Sequence, residues 1–223
     1  ELLTPGELTR VSLDDVRDIP TVRMPYQQDV PVIYASSGMR RIMALAYFLV
    51  WAWQEHRQAA KLLQQPETHQ VIFLIDEVES HLHPSWQRKI VPALLNLMDS
   101  LAQDAETQLI TATHSPLIMA SVEPWFDHQQ DAWFDLDICQ DRKNQTPKVE
   151  LTRREFIRRG DASRWLTSEA FDLPSARSEE AEQALNDASE ALKREGLSKQ
   201  EALQLDKRLR EVLGDTDPFW MRW

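Results

Sequence analysis

The apolar run VIFLI (71–75) ends on two adjacent acids, Asp76 and Glu77, and the chain then places Glu79, His81 and His83 ahead of Pro84. A second apolar run, TQLITATH (107–114), ends on Thr113 and His114. Carboxylates and an imidazole gathered at strand ends can hold a divalent cation and move a proton. A hard oxygen donor suits Mg²⁺, and a neighbouring carboxylate or histidine can orient or deprotonate a water. A third stretch, ASSGMRRI (35–42), sets small hydroxyl-bearing residues and a glycine before a long helical run. Such a helix start offers free backbone N–H groups and the positive end of a dipole to a phosphate. A plain serine N-cap is the other use of the same residues.

The elements that must position these groups follow from periodicity. HQVIFLID (69–76) has the β-branched and aromatic content of a strand buried on both faces, and TQLITATH reads as a second buried strand. Between them Trp86, Ile90, Leu94, Leu97 and Leu101 recur at helical spacing. Strands alternating with helices imply an α/β fold with a parallel sheet, which gathers functional residues at the C-terminal ends of the strands. Residues 36–64 form a long helix ending before Pro66, and its run IMALAYFLVWAW (42–53) reads as buried and too short to span a membrane. Residues 1–35, with prolines at 5, 20, 25 and 31, are a loop-rich approach with one brief strand. DAWFDLDIC (131–139) and KVELTRREF (148–156) alternate as half-exposed strands do. From Ser178 the composition turns to Ala, Glu, Lys, Leu and Gln, giving a helical hairpin of 178–195 and 198–213 that turns at Gly196, with Ser198 and Glu201 as a capping box. The tail DPFWMRW is a packed plug in one reading and a docking peptide in another, with the plug favoured.

Composition bounds the function. With 42% hydrophobic and 27% charged residues the chain is an ordinary globular one, and its formal charge of −11 argues against a broad phosphate-binding surface. The single Cys139 has no disulfide partner, which fits a reducing cytoplasm. The basic cluster RREFIRRGDASRW (153–165) reads as surface ion pairs, with nucleic-acid contact as the alternative.

An apolar strand ending in Asp-Glu has the form of a Walker B motif, and the segment 30–122 resembles the C-terminal lobe of an ABC-type ATPase head of the SMC, Rad50, RecF and OLD-like group, which includes bacterial AAA-family defence ATPases. SSGMRR resembles the signature motif, VIFLIDE the Walker B strand, ESHLHP the D-loop and TATHSP the switch-histidine strand, in that order. The resemblance implies a P-loop NTPase fold, with ATP and Mg²⁺ as ligands. It implies that Asp76 binds Mg²⁺, that Glu77 activates the water, and that His114 contacts the γ-phosphate or that water. Ser36, Ser37 and Gly38 are then the residues that reach the γ-phosphate held by an opposite subunit. His81 and His83 fall at the seam of the homodimer that sandwiches ATP. The implied organisation is a lead-in over 1–35, the ATPase lobe over 36–138, a strand and basic linker over 139–177, and the helical hairpin with its aromatic tail over 178–223. LTSEAFDLPSARSEEAEQAL (166–185) resembles the region after the ATPase core in Septu-type and retron-associated proteins, which implies an effector such as a nuclease, acting on nucleic acid, docked on the acidic hairpin; the equal alternative is that Glu179, Glu180, Glu182 and Glu190 solvate one helix face.

Two departures qualify the match. Ser37 stands where the usual signature carries its first glycine, and the five glycines, at 6, 38, 160, 196 and 214, assemble no G-x-x-x-x-G-K-[ST] loop. The chain also begins at Glu1, so the expectation is a C-terminal part that works with an N-terminal P-loop lobe of the same protein, or one half of a split head. Two other classes stand beside this reading: a nucleotide-free interaction module of the same fold, and a metal hydrolase built on Asp76, Glu77, Glu79, His81, His83 and His114.

Overall fold

The computed structural model describes residues 2–10, 18–101, 106–140, 146–194 and 196–223. The chain divides into two compact units, Glu1–Trp165 and Leu166–Trp223. The first opens with β1 (Thr4–Pro5), β2 (Thr9–Arg10), β3 (Asp18–Ile19), β4 (Thr21–Arg23) and β5 (Asp29–Pro31). β4 pairs antiparallel with both β1 and β5, and β2 pairs with β3. A two-toothed ion pair from Arg23 to Asp29, at 2.9 and 3.0 Å, clips β4 to β5. One brief strand was the expectation for this region. Strands of two or three residues are too short to show a period of two, so only their pairing reveals them.

The site-bearing elements follow: α1 (Ser37–Leu62), β6 (Gln70–Ile75), α2 (Pro84–Leu101), β7 (Glu106–Thr111) and α3 (Pro116–Val122). β6 and β7 run parallel, with Gln70 opposite Glu106 and Ile75 opposite Thr111. This is the α/β arrangement expected. The crossover helix α2 packs its Ile90, Val91 and Leu94 stripe with Leu49 of α1, Val78, Leu82 and Ile118 of α3, all buried. Burying each such side chain contributes about 1.5–3 kcal/mol. That burial holds α2 together across Pro92, which has no N–H for the intrahelical bond.

Two burial expectations are corrected. β6 and β7 are covered on one face only: Phe73, Ile75 and Leu109 pack against the core, whereas Ile72, Leu74 and Ile110 remain 63%, 78% and 45% exposed. The run at 42–53 is likewise only partly covered, because Tyr47, Phe48 and Trp51 of α1 stand in the open with their rings edge to face. A strand apolar on both faces reads as doubly buried, but the described residues bring helices to one face.

β8 (Trp133–Gln140) and β9 (Pro147–Arg154) form an antiparallel hairpin, and α4 (Ala162–Leu166) closes the first unit. The alternation expected here is present, but its apolar members Phe134, Leu136, Ile138, Val149 and Leu151 are the exposed ones. Beside the hairpin Phe126 stacks on Phe156 at 4.0 Å between centroids, and the buried Trp165 meets Trp133 edge to face at 5.9 Å. In the basic segment Arg154 pairs with Asp135 and Arg164 with Asp161, so ion pairing is the use seen for those two arginines.

The second unit is the expected helical hairpin, α5 (Glu179–Lys193) and α6 (Lys199–Val212). Ser178 caps α5, and Ser198 with Glu201 forms the capping box of α6. Gly196 takes the left-handed φ of +97° that the turn between them requires. Ala181, Ala184, Ala188 and Ala191 form the buried seam of α5, small enough for α6 to approach and seat Leu209. Glu179, Glu180 and Glu182 occupy the first turn of α5, where the helix dipole favours acids. The tail packs as a plug: Phe219, Trp220 and Trp223 lie against this core, Arg210 sits 5.3 Å over the Trp220 ring, and Arg177 pairs with Asp217.

Glu123, just after α3, is a buried acid that organises the far end of the first unit. Its Oε1 accepts the N–H of Arg159 at 2.7 Å, of Gly160 at 2.9 Å and of the Trp165 indole at 2.7 Å. Burial by itself pushes this carboxyl up, but the Gly160, Arg159 and Trp165 donors and the nearby Arg158 charge outweigh it and hold the group below its ordinary value. The stabilisation is therefore complete above the unfolded-state pKa and is lost as pH falls through the lower folded-state value. Glu123→Gln is expected to lower stability by about 1–3 kcal/mol at neutral pH. In chemical unfolding measured across pH, the gap between variant and parent should close in acid.

Candidate functional site

The parallel pairing of β6 with β7 sets the first half of the site. The Ala112 N–H donates to the Ile75 carbonyl at 3.1 Å, so Asp76 and Glu77 leave the sheet at the same end as Thr113 and His114. The side chains of Asp76, Glu77 and His114 are all exposed there and make no hydrogen bond or ion pair among the described residues. Glu77 has a φ of +47°, a left-handed conformation that costs a non-glycine residue about 1 kcal/mol or more. It is held there by the Arg41 guanidinium of α1, which donates to the Glu77 carbonyl at 2.7 Å and the Asp76 carbonyl at 3.3 Å. Sequence reasoning passed over Arg41. Its signal was the paired arginine one turn into the helix that begins at Ser37.

The second half is the start of α1. Ser36 is its N-cap, with Oγ accepting the Met39 N–H at 3.3 Å, so the ordinary use of this serine is the one seen. The cap leaves the N–H groups of Ser37 and Gly38 without a partner among the described residues, two donors at the positive end of a long helix. Gly38 is buried against the turn after β6, and a Cβ there would come within 2.6 Å of the His81 carbonyl oxygen and 3.2 Å of the Trp86 ring. An open cleft of about 730 Å³ results, with Ser36, Ser37 and Gly38 on one side and His81, His83 and Ser85 on the other.

The turn itself is tightly specified. His81 adopts a left-handed φ of +62°. His83 caps α2: its Nδ1 accepts the Ser85 N–H at 3.2 Å and lies 2.8 Å from the Ser85 hydroxyl. A backbone N–H can only donate, so Nδ1 is the acceptor in this contact. Glu79 was weighed in the sequence only as a metal ligand; its carboxylate instead receives the Thr113 hydroxyl and the His114 N–H.

The structure thus brings Asp76, Glu77 and His114 together at one sheet end, and Ser36, Ser37, Gly38, His81 and His83 around the cleft. Among the described residues no three His, Cys, Asp or Glu side chains cluster so as to hold a metal ion. A metal hydrolase on a protein-only site therefore has no support. Mg²⁺ fits a different arrangement, since it takes one or two carboxylates together with phosphate oxygens and waters, and the exposed carboxylate of Asp76 meets that need. None of the described helices is long and apolar enough to cross a membrane. Gly38→Ala is expected to push α1 away from the 81–83 turn at a cost of about 1–3 kcal/mol, read by thermal unfolding.

Comparison with known proteins gives the setting. Residues 7–119 match the family described as AAA ATPase domain. Over 60 residues the chain is 42% identical to a probable ATPase of retron Vc95 from Vibrio cholerae serotype O1 biovar El Tor. Over 102 residues it is 30% identical to a probable ATPase of retron Ec83 from Escherichia coli. These segments make up 27% and 46% of this chain but span only 10% and 15% of the relatives' own lengths. A solved structure from work on ATP-driven dimerization and DNA-stimulated activation of SMC ATPases covers 67% of this chain and 72% of its own at 15% identity. Its TM-score of 0.37 is too low to carry an argument. With residues 7–119 of its 223 accounted for by the family match, the chain belongs to the AAA ATPase domain family.

Proposed function

We propose that this chain is the C-terminal lobe of an ABC-type ATPase head that hydrolyses ATP at a composite interface between two heads and thereby drives or gates a partner. The observation that carries the reading is the division of the groups. Among the described residues the side chains of Asp76, Glu77 and His114 have no partner at one sheet end, while Ser37 and Gly38 line a separate cleft beside His81 and His83. One nucleotide on the sheet end of one head can meet the helix start of a second. Charge spreading over the transferred phosphoryl group is better stabilised by donors from both sides than from one open face.

In this reading the Asp76 carboxylate would hold Mg²⁺, which would supply charge neutralisation at the phosphates. Glu77 accepts a proton from the attacking water as the new P–O bond forms and the bond to the ADP oxygen breaks. His114 steadies the γ-phosphate or the water. Arg41 fixes the backbone from which Asp76 and Glu77 project, so their placement is set before nucleotide arrives. Ser36, Ser37 and Gly38 supply donors to the γ-phosphate of the opposite head, and His81 and His83 lie at the seam of that homodimer.

The α and β phosphates need a P-loop, which we assign to an N-terminal lobe of the same protein. The open apolar face of Ile72, Leu74 and Ile110 supports this, because a two-stranded parallel sheet with one bare apolar face calls for further covering structure. The probable retron ATPases among the relatives support a retron-type ATPase; the setting in anti-phage defence in the cytoplasm, with an effector nuclease acting on nucleic acid as the partner, rests on the resemblance of residues 166–185.

Glu77→Gln in the complete protein is expected to leave ATP binding intact, cut turnover by about 100-fold or more and trap the closed dimer. Turnover at the parental rate would remove Glu77 as the base. Ser36→Arg should abolish ATP-driven association in sedimentation or light scattering while a single head still binds ATP. Undiminished association would remove the role of Ser36 across the interface.

A further inference from the structure

A closed circuit of hydrogen bonds joins the turn after Glu77 to the turn that carries His114. Glu79 Oε2 accepts the Thr113 hydroxyl at 2.7 Å, and its Oε1 accepts the His114 N–H at 2.6 Å. The Thr113 oxygen accepts the Ser115 N–H at 3.0 Å. The Ser115 hydroxyl donates to Gln87 Oε1 at 2.6 Å, and Gln87 Nε2 donates to the Leu82 carbonyl at 3.0 Å. The Leu82 N–H closes the ring on the Glu79 carbonyl at 2.9 Å. Val78, Leu82 and Ser115 are buried at its base, the side-chain bonds from Thr113 to Leu82 are partly buried, and the one from the His114 N–H is exposed.

Chemistry explains why a carboxylate stands at 79. Both groups that reach it are donors, and an ionised carboxylate is acceptor-only with two oxygens to offer. The circuit also touches the cleft, because the His81 carbonyl lies between Glu79 and His83 and is the atom against which Gly38 packs. Displacement of the 79–83 turn therefore pulls on the backbone of His114.

We infer that Glu79 is a positioning residue that transmits the seating of the 79–83 turn to His114, so that the histidine is set on the phosphate when the turn is engaged by a second head. This rests on the composite-site reading above, and Glu79 itself touches neither nucleotide nor water.

The test uses steady-state ATP hydrolysis by the complete protein, with kcat and KM determined separately for Glu79→Gln, Thr113→Val and Thr113→Ser, and with Glu77→Gln measured alongside. Glu79→Gln keeps the shape but turns one acceptor into a donor. Thr113→Val removes the hydroxyl, and Thr113→Ser keeps it. The expected result is a fall of about tenfold in kcat for Glu79→Gln and Thr113→Val, with KM for ATP held within about twofold and parental kcat restored in Thr113→Ser. Parental kcat in both Glu79→Gln and Thr113→Val, with Glu77→Gln inactive, overturns the coupling and leaves the composite site standing. Loss of kcat, ATP affinity and thermal stability together, unrepaired in Thr113→Ser, also overturns it, since that pattern belongs to a purely structural bond. An active Glu77→Gln overturns the reading on which the inference rests, whatever Glu79 does.

Discussion

Each of the 6 residues of β6 lies beside one of the 6 of β7 in parallel register, and that pairing is the constraint from which the candidate chemistry hangs. Parallel strands point their C-terminal ends the same way, so two polar turns far apart in sequence arrive side by side. A parallel pair also needs a crossover, and α2 supplies it while bringing the Ile90, Val91 and Leu94 stripe to one face. The helix is thus both the connector that makes the register possible and the cover that makes it stable.

The turn between β6 and α2 turns this pairing into a site. Glu77 and His81 both have left-handed backbones, and each is fixed by a contact from outside the turn. Arg41 takes the carbonyls of Asp76 and Glu77, Gly38 lets α1 close on the carbonyl of His81, and Glu79 reaches across to the next strand end. Among the described residues these contacts leave the carboxylates of Asp76 and Glu77 and the ring of His114 without a hydrogen-bond partner. Polar groups that are firmly placed and unsatisfied are what a ligand-binding end of a sheet requires.

The helical hairpin is held by other physics. Its caps are local features, satisfied by residues close in sequence, and the acids of its first turn sit where a helix dipole favours them, whereas the alanine seam and the aromatic plug meet only when the two helices pack. Its signals were therefore legible in composition and spacing, down to the left-handed turn at Gly196.

The strands 70–75 and 106–111, the helices around them and the grouping of Asp76, Glu77 and His114 were determined by the sequence itself, because apolar periodicity and strand-end polarity are written in consecutive residues. Burial was not. Ile72 and Ile75 look alike in the chain, and only packing separates the covered side chain from the open one. The roles of Arg41 and Glu79 were also hidden, since each is defined by a hydrogen bond across about 35 residues, to Asp76 or Glu77 in one case and to Thr113 and His114 in the other. Local patterns fix which elements form and where their polar ends lie. Which donors meet which acceptors is decided when those elements are brought together.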